Sequence, residues 1–261
     1  MRLDLYLVDR GLAASRERAK RLILSGAVQL DGHVADKPSL DITGEPTVTV
    51  FDDQRFVGRG GEKLAAALKA FEIDPCGMRA IDIGASTGGF TDCLLSGGAL
   101  RVVAIDSGVG QLHPKLLRDG RVINIEHYNA RELSPLDVGR FDLAVMDVSF
   151  ISQTYILPRF KGILLPLGRA VTLIKPQFEA GRAALNKKGI VTAARDRIFA
   201  VRRVLTSASE VGLTCTGLAP SPITGGDGNM EYLACFSLSG DPARNLTFDI
   251  EKTVLEGGVC R

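Results

Sequence analysis

The sequence contains little that could hold a metal ion or a disulfide. Its three histidines are far apart, and none of its five cysteines forms a CxxC pair of the kind found in zinc and redox sites. An odd number of unpaired cysteines is typical of reduced thiols in a cytosolic protein. We therefore expect no metal site, and no disulfide among Cys76, Cys93, Cys215, Cys235 and Cys260.

The sequence also lacks long apolar runs and a strong imbalance of charge. No segment approaches the roughly 18 consecutive apolar residues of a membrane span, and residues 1–4 show none of the apolar core of a secretory signal. We therefore expect a cytoplasmic protein that does not enter membranes. The net charge is only +2 at pH 7, so any surface that binds nucleic acid must be a local patch.

Four short apolar runs predict a buried parallel sheet. The runs, which helix-length segments separate, cover residues 80–83, 102–105, 143–146 and 171–174. Asp106, Asp147 and Lys175 directly follow the last three runs. Because ligands bind at the carboxyl ends of parallel strands, we expect these side chains to line one pocket.

Two further apolar runs predict a hairpin that closes the sheet. Residues 213–219 and 232–238 flank a segment rich in proline and glycine. If the last strand is antiparallel to the others, it begins at the edge where the parallel strands end. Glu231 would then join Asp82 at that edge. The predicted fold class is α/β, with a mostly parallel sheet and an antiparallel last strand.

The first 57 residues predict a smaller α+β unit. Ser15 and Gly26 are good start and stop signals for a basic helix. Asp31-Gly32 follows between two short alternating runs and predicts a tight hairpin. Together they would give a compact positive face, although such charges are most often only a solvated surface.

This order of helix, hairpin and Lys37-Pro38 resembles the S-four (S4) RNA-binding domain, also called the alpha-L motif, over roughly residues 1–50. The resemblance implies that basic side chains of the helix bind RNA phosphates. They are Arg16, Arg18, Lys20 and Arg21. Contacts of this kind position an RNA rather than read its sequence.

A polar segment at 52–54 and the glycine-rich residues 58–61 predict a flexible connector between two domains. We expect an N-terminal domain at 1–57, a linker at 58–61, a second domain at 62–240 and a C-terminal tail at 241–261. Apolar residues of the tail, Phe248 among them, predict a short helix there. In the amphipathic helix predicted at 62–71, Lys63 would be an exposed lysine on sequence alone.

A glycine-rich segment with two acids predicts a cofactor site. Gly84, Gly88 and Gly89 let another molecule approach the backbone, and Asp106 can accept hydrogen bonds from both hydroxyls of a ribose. The spacing is not the GxGxxG of a dinucleotide site, and Asp82 would lie near a pyrophosphate. S-adenosyl-L-methionine has no phosphate and carries two positive groups, so nearby acids favour it over NAD.

Five motifs, taken in order along the chain, resemble the TlyA family. They lie at 82–91, 106–112, 146–152, 173–179 and 228–233. Members of this family join an S4 domain to a methyltransferase domain like that of FtsJ, and they are often labelled haemolysins. The resemblance implies a Rossmann-like enzyme that uses S-adenosyl-L-methionine to methylate a ribose 2′-hydroxyl, usually of cytidine, in ribosomal RNA or a ribosomal subunit.

The resemblance also implies the residues of the site. The Lys-Asp-Lys-Glu tetrad of FtsJ-like enzymes falls on Lys63, Asp147, Lys175 and Glu231. The residues implied in cofactor binding are Asp82, Gly84, Ala85, Ser86, Thr87, Gly88, Gly89, Phe90, Asp106 and Asp147.

The chemistry of a 2′-hydroxyl explains these residue types, because the hydroxyl is a poor nucleophile until its proton is removed. An unperturbed lysine has a pKa of about 10.4, so it accepts a proton only where burial or a second cation favours its neutral form. We hypothesise that Lys175 is this base and that Lys63 supplies the second cation, while Asp147 and Glu231 orient the lysines and the ribose. In the alternative, a charged Lys175 orients the hydroxyl and stabilises the developing alkoxide.

A basic, glycine-flanked segment, residues 180–189, follows Lys175 closely. We expect Arg182, Lys187 and Lys188, together with Arg59, to guide RNA to the site. Two other functions stay open. One is damage to membranes, which the haemolysin label suggests, and the other is a non-catalytic role as a ribosome-binding factor, for which the N-terminal domain would suffice.

Overall fold

A computed structural model of the chain describes residues 1–13, 15–24, 26–50, 55–238 and 249–256. Contacts within the chain divide it into two units, Met1–Gln54 and Arg55–Arg261. The predicted polar break at 52–54 lies outside the described residues, as does Phe248 in the predicted tail. Among the described residues, no helix is long and apolar enough to cross a membrane.

The N-terminal unit packs two helices against a small antiparallel sheet with the strand order β2-β1-β3. Its elements are α1 (Leu3–Asp9), α2 (Arg16–Leu24), β1 (Val28–Leu30), β2 (His33–Val34) and β3 (Val48–Val50). Ser15 caps α2, because its Oγ accepts a hydrogen bond of 3.2 Å from Arg18 N. Asp31 and Gly32 have φ angles of 48° and 82°, the left-handed pair that a type I′ hairpin turn requires. The predicted helix and hairpin are thus confirmed.

The C-terminal unit is built on a seven-stranded sheet with the order β6-β5-β4-β7-β8-β10-β9. Its strands are β4 (Arg79–Ile83), β5 (Arg101–Ile105), β6 (Val122–Ile125), β7 (Phe141–Met146), β8 (Leu164–Ile174), β9 (Leu213–Pro220) and β10 (Tyr232–Leu238). Its helices are α3 (Gly60–Ala70), α4 (Gly89–Ser96), α5 (Pro114–Leu117), α6 (Pro135–Val138), α7 (Leu157–Ile163), α8 (Pro176–Glu179), α9 (Ala194–Glu210) and α10 (Ile250–Glu256). Strands β4 to β8 are parallel, and β10 is antiparallel to both of its neighbours.

The sheet is buried on both faces, as its apolar runs predicted. Ile81 and Ile83 of β4 belong to a core that includes α7 and α9. Ala80, on the other face of the same strand, packs in a second core with side chains of α3 and α4. Because successive side chains of a strand point to opposite faces of the sheet, one short apolar run packs against the helices on both sides.

The register of the strands brings their carboxyl ends to one edge. Ile83 of β4 is opposite Ile105 of β5 and Met146 of β7, and Tyr232 at the start of β10 is opposite Ile174 at the end of β8. The residues that follow β4, β5, β7 and β8 and the residue that precedes β10 therefore leave the sheet at the same edge. The predicted antiparallel last strand is confirmed.

The prediction of a flexible connector at 58–61 is wrong for Gly60 and Gly61, which are the first two residues of α3. A Cβ on Gly61 would lie 2.3 Å from Phe56 Cγ, and a Cβ on Gly89 would lie 2.9 Å from Gly61 N. These glycines therefore allow the start of α3 to pack closely against Phe56 and the start of α4. Strand β8 also begins earlier than predicted, at Leu164 rather than near residue 170.

Candidate active site

Lys175 and Asp147, which follow two adjacent strands, form an ion pair. Lys175 Nζ lies 2.6 Å from Asp147 Oδ1 and donates a hydrogen bond of 2.8 Å to Ser149 Oγ. The two charged side chains are 11% and 20% exposed, so the pair is largely shielded from water but still open on one side.

Lys63 and Glu231 form a second and more deeply buried pair. Lys63 Nζ lies 2.5 Å from Glu231 Oε2, and the side chains are 8% and 2% exposed. The expectation of an exposed Lys63 is therefore wrong, because the first turn of α3 faces the start of β10 instead of water. Removing one partner of a buried pair leaves the other unpaired and commonly costs about 3–5 kcal/mol.

The two pairs adjoin each other at the start of α3. Gly60 is three residues before Lys63, and a Cβ on it would lie 3.9 Å from Asp147 Oδ2 and 3.3 Å from Phe90 Cδ1. The four residues of the predicted tetrad lie in α3, directly after β7, directly after β8 and directly before β10, and thus at one edge of the sheet. They are nevertheless spread over most of the C-terminal unit's sequence.

The glycine-rich loop after β4 lies directly against this site. Gly84 has a φ of 81°, and a Cβ on it would lie 2.8 Å from Asp147 O, so a larger residue would push the two loops apart. Ala85, Ser86 and Thr87 continue the loop, and Gly88, Gly89 and Phe90 lead into the first turn of α4. The fully buried Leu94 in the middle of α4 anchors that helix to the sheet.

Asp106 is held at the end of β5 by two backbone amides. Ser86 N donates to Asp106 Oδ2 at 2.8 Å, and Gly108 N donates to Asp106 Oδ1 at 2.7 Å. Each carboxylate oxygen can accept more than one hydrogen bond. Asp106 therefore presents two oriented oxygens that retain the capacity to accept hydrogen bonds from a pair of hydroxyl groups.

Asp82 is buried between β4 and α4. Its Oδ2 accepts hydrogen bonds from Thr91 N at 2.9 Å and from Thr91 Oγ1 at 2.7 Å, whereas its buried Oδ1 has no hydrogen-bond partner. Loss of hydration raises the pKa of Asp82 to about 7, and the nearby negative charge of Asp147 adds to this, although the bonds from Thr91 oppose the rise.

Two adjoining cavities open at this edge of the sheet. One, of about 220 Å³, is lined by Gly60, Asp82, Phe90 and Lys175 among others. The other, of about 370 Å³, is lined by Asp106, Gln111, Tyr128, Asn129 and Phe150 among others. Both include Gly84, Ser86, Asp147 and Ser149 in their walls, so they lie side by side between Asp106 and Lys175 and are together called the cleft.

The basic segment predicted to guide RNA forms an ordered loop. Arg182, Lys187 and Lys188 are exposed. Asn186 Oδ1 accepts from Lys188 N at 2.8 Å, and Asn229 accepts from Val191 N at 3.0 Å while its amide donates to Gly189 O at 3.0 Å. The loop is thereby tied to the segment that precedes Glu231. Arg59 lies apart from these residues in sequence and donates to Thr224 O at 2.7 Å.

The basic helix of the N-terminal unit carries the other four residues predicted to bind RNA. Arg16 Nε pairs with the fully buried Asp4 at 2.9 Å, and Arg2 pairs with the same carboxylate at 3.0 Å, which holds the pKa of Asp4 well below its usual range. Lys20 pairs with Glu17 at 3.1 Å. Arg18 is half-buried and Arg21 is exposed on the same helix.

Ser149, Glu179 and Asn229 had no predicted role. Each lies inside one of the motifs that resemble the TlyA family, and this position was the signal in the sequence that could have indicated a role. Their partners, Lys175, Ser152 and Val191, come from other segments of the chain. Contacts of this kind are visible only in the folded molecule.

The fold is Rossmann-like, and solved structures described as S-adenosylmethionine-dependent methyltransferases or candidates for that activity share it. The chain belongs to the FtsJ-like methyltransferase family, whose model matches residues 56–238. A model of the S4 domain matches residues 1–46. The sequence resemblances to the S-four domain and to the TlyA family are thus confirmed.

Three similar proteins show how far the likeness extends. The chain is 46% identical to a candidate rRNA methyltransferase, YqxC, of Bacillus subtilis, over 89% of this chain and 84% of that protein. It is 41% identical to the 16S/23S rRNA (cytidine-2′-O)-methyltransferase TlyA of Mycobacterium tuberculosis over 98% of each. A solved structure, described as a candidate hemolysin from Streptococcus thermophilus, matches with a TM-score of 0.80 and 40% identity, over 99% of this chain and 95% of that one.

Proposed function

We propose that this chain transfers a methyl group from S-adenosyl-L-methionine to the ribose 2′-hydroxyl of a cytidine in ribosomal RNA. The observation that carries the proposal is the meeting of two shielded lysine–carboxylate pairs, Lys63–Glu231 and Lys175–Asp147, beside the glycine-rich loop. The activity in the name of the Mycobacterium tuberculosis relative supports cytidine and ribosomal RNA as the target.

The residues of the cleft suit S-adenosyl-L-methionine. Asp106 offers two oriented oxygens to the ribose of the cofactor. Gly84 and Ser86 of the glycine-rich loop line both cavities in which the cofactor would lie. The unpartnered Oδ1 of Asp82, in the wall of the smaller cavity, is an acceptor that a cationic group would satisfy. When bound, the cofactor supplies a methyl group on a positive sulfur, which the acids of the cleft favour.

Lys175 is the residue that we assign to the 2′-hydroxyl. Its ammonium group has three donors, and its contacts with Asp147 and Ser149 leave room for a third contact, with the hydroxyl oxygen. Each of the two lysines lies in an ion pair with a carboxylate. This supports the second of the two roles considered for Lys175, in which the charged group orients the hydroxyl and stabilises the alkoxide that develops.

Lys63 and Glu231 would complete the set of groups that hold the ribose. Because their pair is almost fully buried, each side chain has little freedom to move. An oxygen held in line behind the methyl group gains much of its reactivity from placement alone. We therefore assign Lys63, Asp147, Lys175 and Glu231 to the reaction as one unit.

RNA binding would involve both units of the chain. We propose that residues 1–57 act as an RNA-binding domain through Arg16, Arg18, Lys20 and Arg21, and that Arg59, Arg182, Lys187 and Lys188 contact RNA beside the cleft. The exposed positions of Arg182, Lys187 and Lys188 support this assignment. A target in ribosomal RNA also supports a cytoplasmic location.

The test is transfer of radiolabel from S-adenosyl-L-methionine to ribosomal RNA in a single turnover. Wild-type protein is expected to label the RNA, and digestion to nucleosides is expected to release 2′-O-methylcytidine. Lys175→Ala should lower the rate by about 100-fold or more, because the variant can neither orient the hydroxyl nor stabilise the alkoxide.

Lys161→Ala is the matched control, since Lys161 is an exposed lysine of α7. It should transfer methyl groups at the wild-type rate. No label in RNA with the wild-type protein, or full activity in Lys175→Ala, would contradict the proposal.

A second function, lysis of membranes, is raised by the name of the Streptococcus thermophilus protein. Leakage of dye from liposomes separates it from methyl transfer. If wild-type protein and Lys175→Ala release dye equally while only the wild type labels RNA, the two activities are independent of each other.

A further inference from the structure

Two segments at the edge of the cleft are joined at several points. The β7 loop, residues 147–152, follows β7 and carries Ser149 and Phe150, while the β8 segment, residues 175–179, follows β8 and begins with Lys175. Their contacts comprise two polar contacts of Lys175, one contact between aromatic rings and one buried hydrogen bond. The pairs are Asp147–Lys175, Ser149–Lys175, Phe150–Phe178 and Ser152–Glu179.

Glu179 is the buried end of this set of contacts. The residue is 2% exposed, and its carboxylate accepts hydrogen bonds from Ser152 Oγ at 2.5 Å and from Gln153 N at 2.8 Å. Its backbone carbonyl accepts from Arg203 Nη1 at 2.7 Å, which fixes the β8 segment to α9. Burial raises the pKa of Glu179 in spite of the bonds from Ser152 and Gln153. Through its hydrogen bonds, the carboxylate holds the C-terminal end of the β7 loop to a segment that is itself fixed to α9.

The β7 loop needs such an anchor. Phe150 is 92% exposed and has a φ of 64°, a left-handed conformation that is strained for a bulky residue. Strain of this kind, of order 1–3 kcal/mol, persists only where the surroundings impose it. Phe150 has one ring contact, with Phe178 at 5.3 Å between centroids, so its own packing contributes little. The bonds of Glu179 begin two residues further along the loop, at Ser152.

We propose that Glu179 is a positioning residue for methyl transfer. By holding Ser152 and Gln153 it fixes the β7 loop against the β8 segment, and this places Ser149 and Phe150 relative to Lys175. The inference rests on the proposed function, since it concerns the alignment of Lys175 with the ribose oxygen. A buried carboxylate is a poor way to stabilise a core, where an apolar side chain of similar size often does better. The carboxylate of Glu179 is explained instead by the hydrogen bonds with which it holds Ser152 and Gln153.

Two substitutions of Glu179 separate the effect of its hydrogen bonds from the effect of its negative charge. In Glu179→Gln, the amide oxygen can accept from Gln153 N and the amide nitrogen can donate to Ser152 Oγ, because that hydroxyl can turn its own proton to Thr154 Oγ1, 2.8 Å away. In Glu179→Ala, neither bond to the β7 loop can form. Glu179→Gln should therefore rescue most of what Glu179→Ala loses.

The experiment measures kcat and KM for methyl transfer to ribosomal RNA, and the dissociation constant of S-adenosyl-L-methionine by calorimetry. All assays are run well below the melting temperature of the least stable variant. Glu179→Ala should lower kcat by about 10- to 100-fold, because small misplacements of reacting groups have effects of this size. Glu179→Gln should stay within about threefold of the wild-type kcat. The cofactor should bind all variants within about threefold, because the amides that orient Asp106 belong to Ser86 and Gly108, outside the β7 loop.

Arg169→Ala is the control for a purely structural effect. Arg169 lies on β8 six positions before Lys175, and its guanidinium donates to Phe71 O at 2.9 Å, away from the cleft. This variant should lower the melting temperature and leave kcat unchanged. If Glu179→Ala behaves in the same way, the proposal is overturned.

Ser152→Ala covers the case in which Glu179→Ala does not fold, since it removes one of the two bonds and keeps the one from Gln153. A kcat reduced by about three- to tenfold supports the proposal, and a wild-type kcat overturns it. A wild-type protein that labels no RNA would instead contradict the proposed function itself, so the two failures are distinguishable.

Discussion

At the scale of single residues, Asp82 is a carboxylate that makes stability depend on pH. It is fully buried, and its pKa is raised to about 7, whereas an aspartate in an unfolded chain has a pKa of about 3.9. Between these two values the folded protein binds more protons at this site than the unfolded chain. Stability contributed by Asp82 is therefore greatest below pH 4 and declines as the pH rises towards 7.

We predict that Asp82→Asn removes this dependence, because the amide keeps an acceptor for Thr91 N and cannot ionise. Relative to wild type, the free energy of unfolding of the variant should increase steadily from pH 4 to pH 7, by an amount on the order of 4 kcal/mol. Urea denaturation at several pH values, without cofactor, measures the difference.

Asp119→Asn is the control for this experiment. Hydrogen bonds from the side chain and the backbone of Arg121 lower the pKa of Asp119 to about 2, so Asp119 stays ionised over the same range. Its substitution should therefore change stability by the same amount at pH 5 and pH 7. A constant difference for Asp82→Asn as well would show that Asp82 is not protonated in the folded protein at pH 5.

At the scale of elements, the parallel strands and the final hairpin could be predicted from sequence because their pattern is local. Ile81, for example, lies in a short buried run in which Ile81 and Ile83 face one helix layer and Ala80 faces the other. The same local pattern predicted that Glu231 begins the last strand at the ligand edge. In each case the physical cause, burial on both faces of a sheet, acts on consecutive residues.

The start of α3 could not be predicted in this way. Gly60 and Gly61 look like a flexible connector, but the constraint on them comes from Phe56 and from Gly89 on another helix. Lys63 looks exposed, but it is buried because its partner, Glu231, lies 168 residues further along the chain. A contact over such a separation leaves no trace in the periodicity of either segment.

We predict that Gly61→Ala destabilises the protein, although alanine in a helix is normally more stable than glycine by about 1 kcal/mol. The new Cβ would lie 2.3 Å from Phe56 Cγ, so Phe56 or the start of α3 must move. Overpacking of this kind costs about 1–3 kcal/mol. Because Lys63 is in the same turn of α3, methyl transfer should fall as well. Urea denaturation and the methyl-transfer assay measure the two effects.

Gly162→Ala is the matched control at this scale. Gly162 lies in α7, and a Cβ on it would lie 3.5 Å from Pro135 Cδ, an ordinary van der Waals contact. This substitution should leave activity unchanged and raise stability by up to about 1 kcal/mol. The idea that Gly61 serves close packing fails if both substitutions stabilise the protein equally.

At the scale of the whole molecule, the net charge of +2 means that attraction to RNA depends on where the charges lie. Lys188 lies in a loop whose backbone is fixed by hydrogen bonds to Asn186 and Asn229. A cation on a preformed loop needs little ordering when it binds a phosphate, so its contribution to affinity should be correspondingly large.

We predict that Lys188→Gln weakens binding to ribosomal RNA by a similar factor for every RNA sequence tested. Loss of one phosphate contact should also flatten the plot of log affinity against log salt concentration by about 0.7 to 0.9. Filter binding between about 50 and 200 mM salt measures both quantities. Methyl transfer at saturating RNA should be unchanged, because Lys188 is not one of the four residues assigned to the reaction.

Lys161→Gln carries the same change of charge on α7 and isolates the effect of position. If attraction depended on net charge alone, Lys161→Gln and Lys188→Gln would flatten the salt dependence equally, since each lowers the charge of the protein by one. If binding depends on a local surface, Lys161→Gln should keep the wild-type slope of log affinity against log salt concentration, and Lys188→Gln should not. Equal slopes for the two variants would therefore remove the loop of residues 180–189 from the RNA-binding surface.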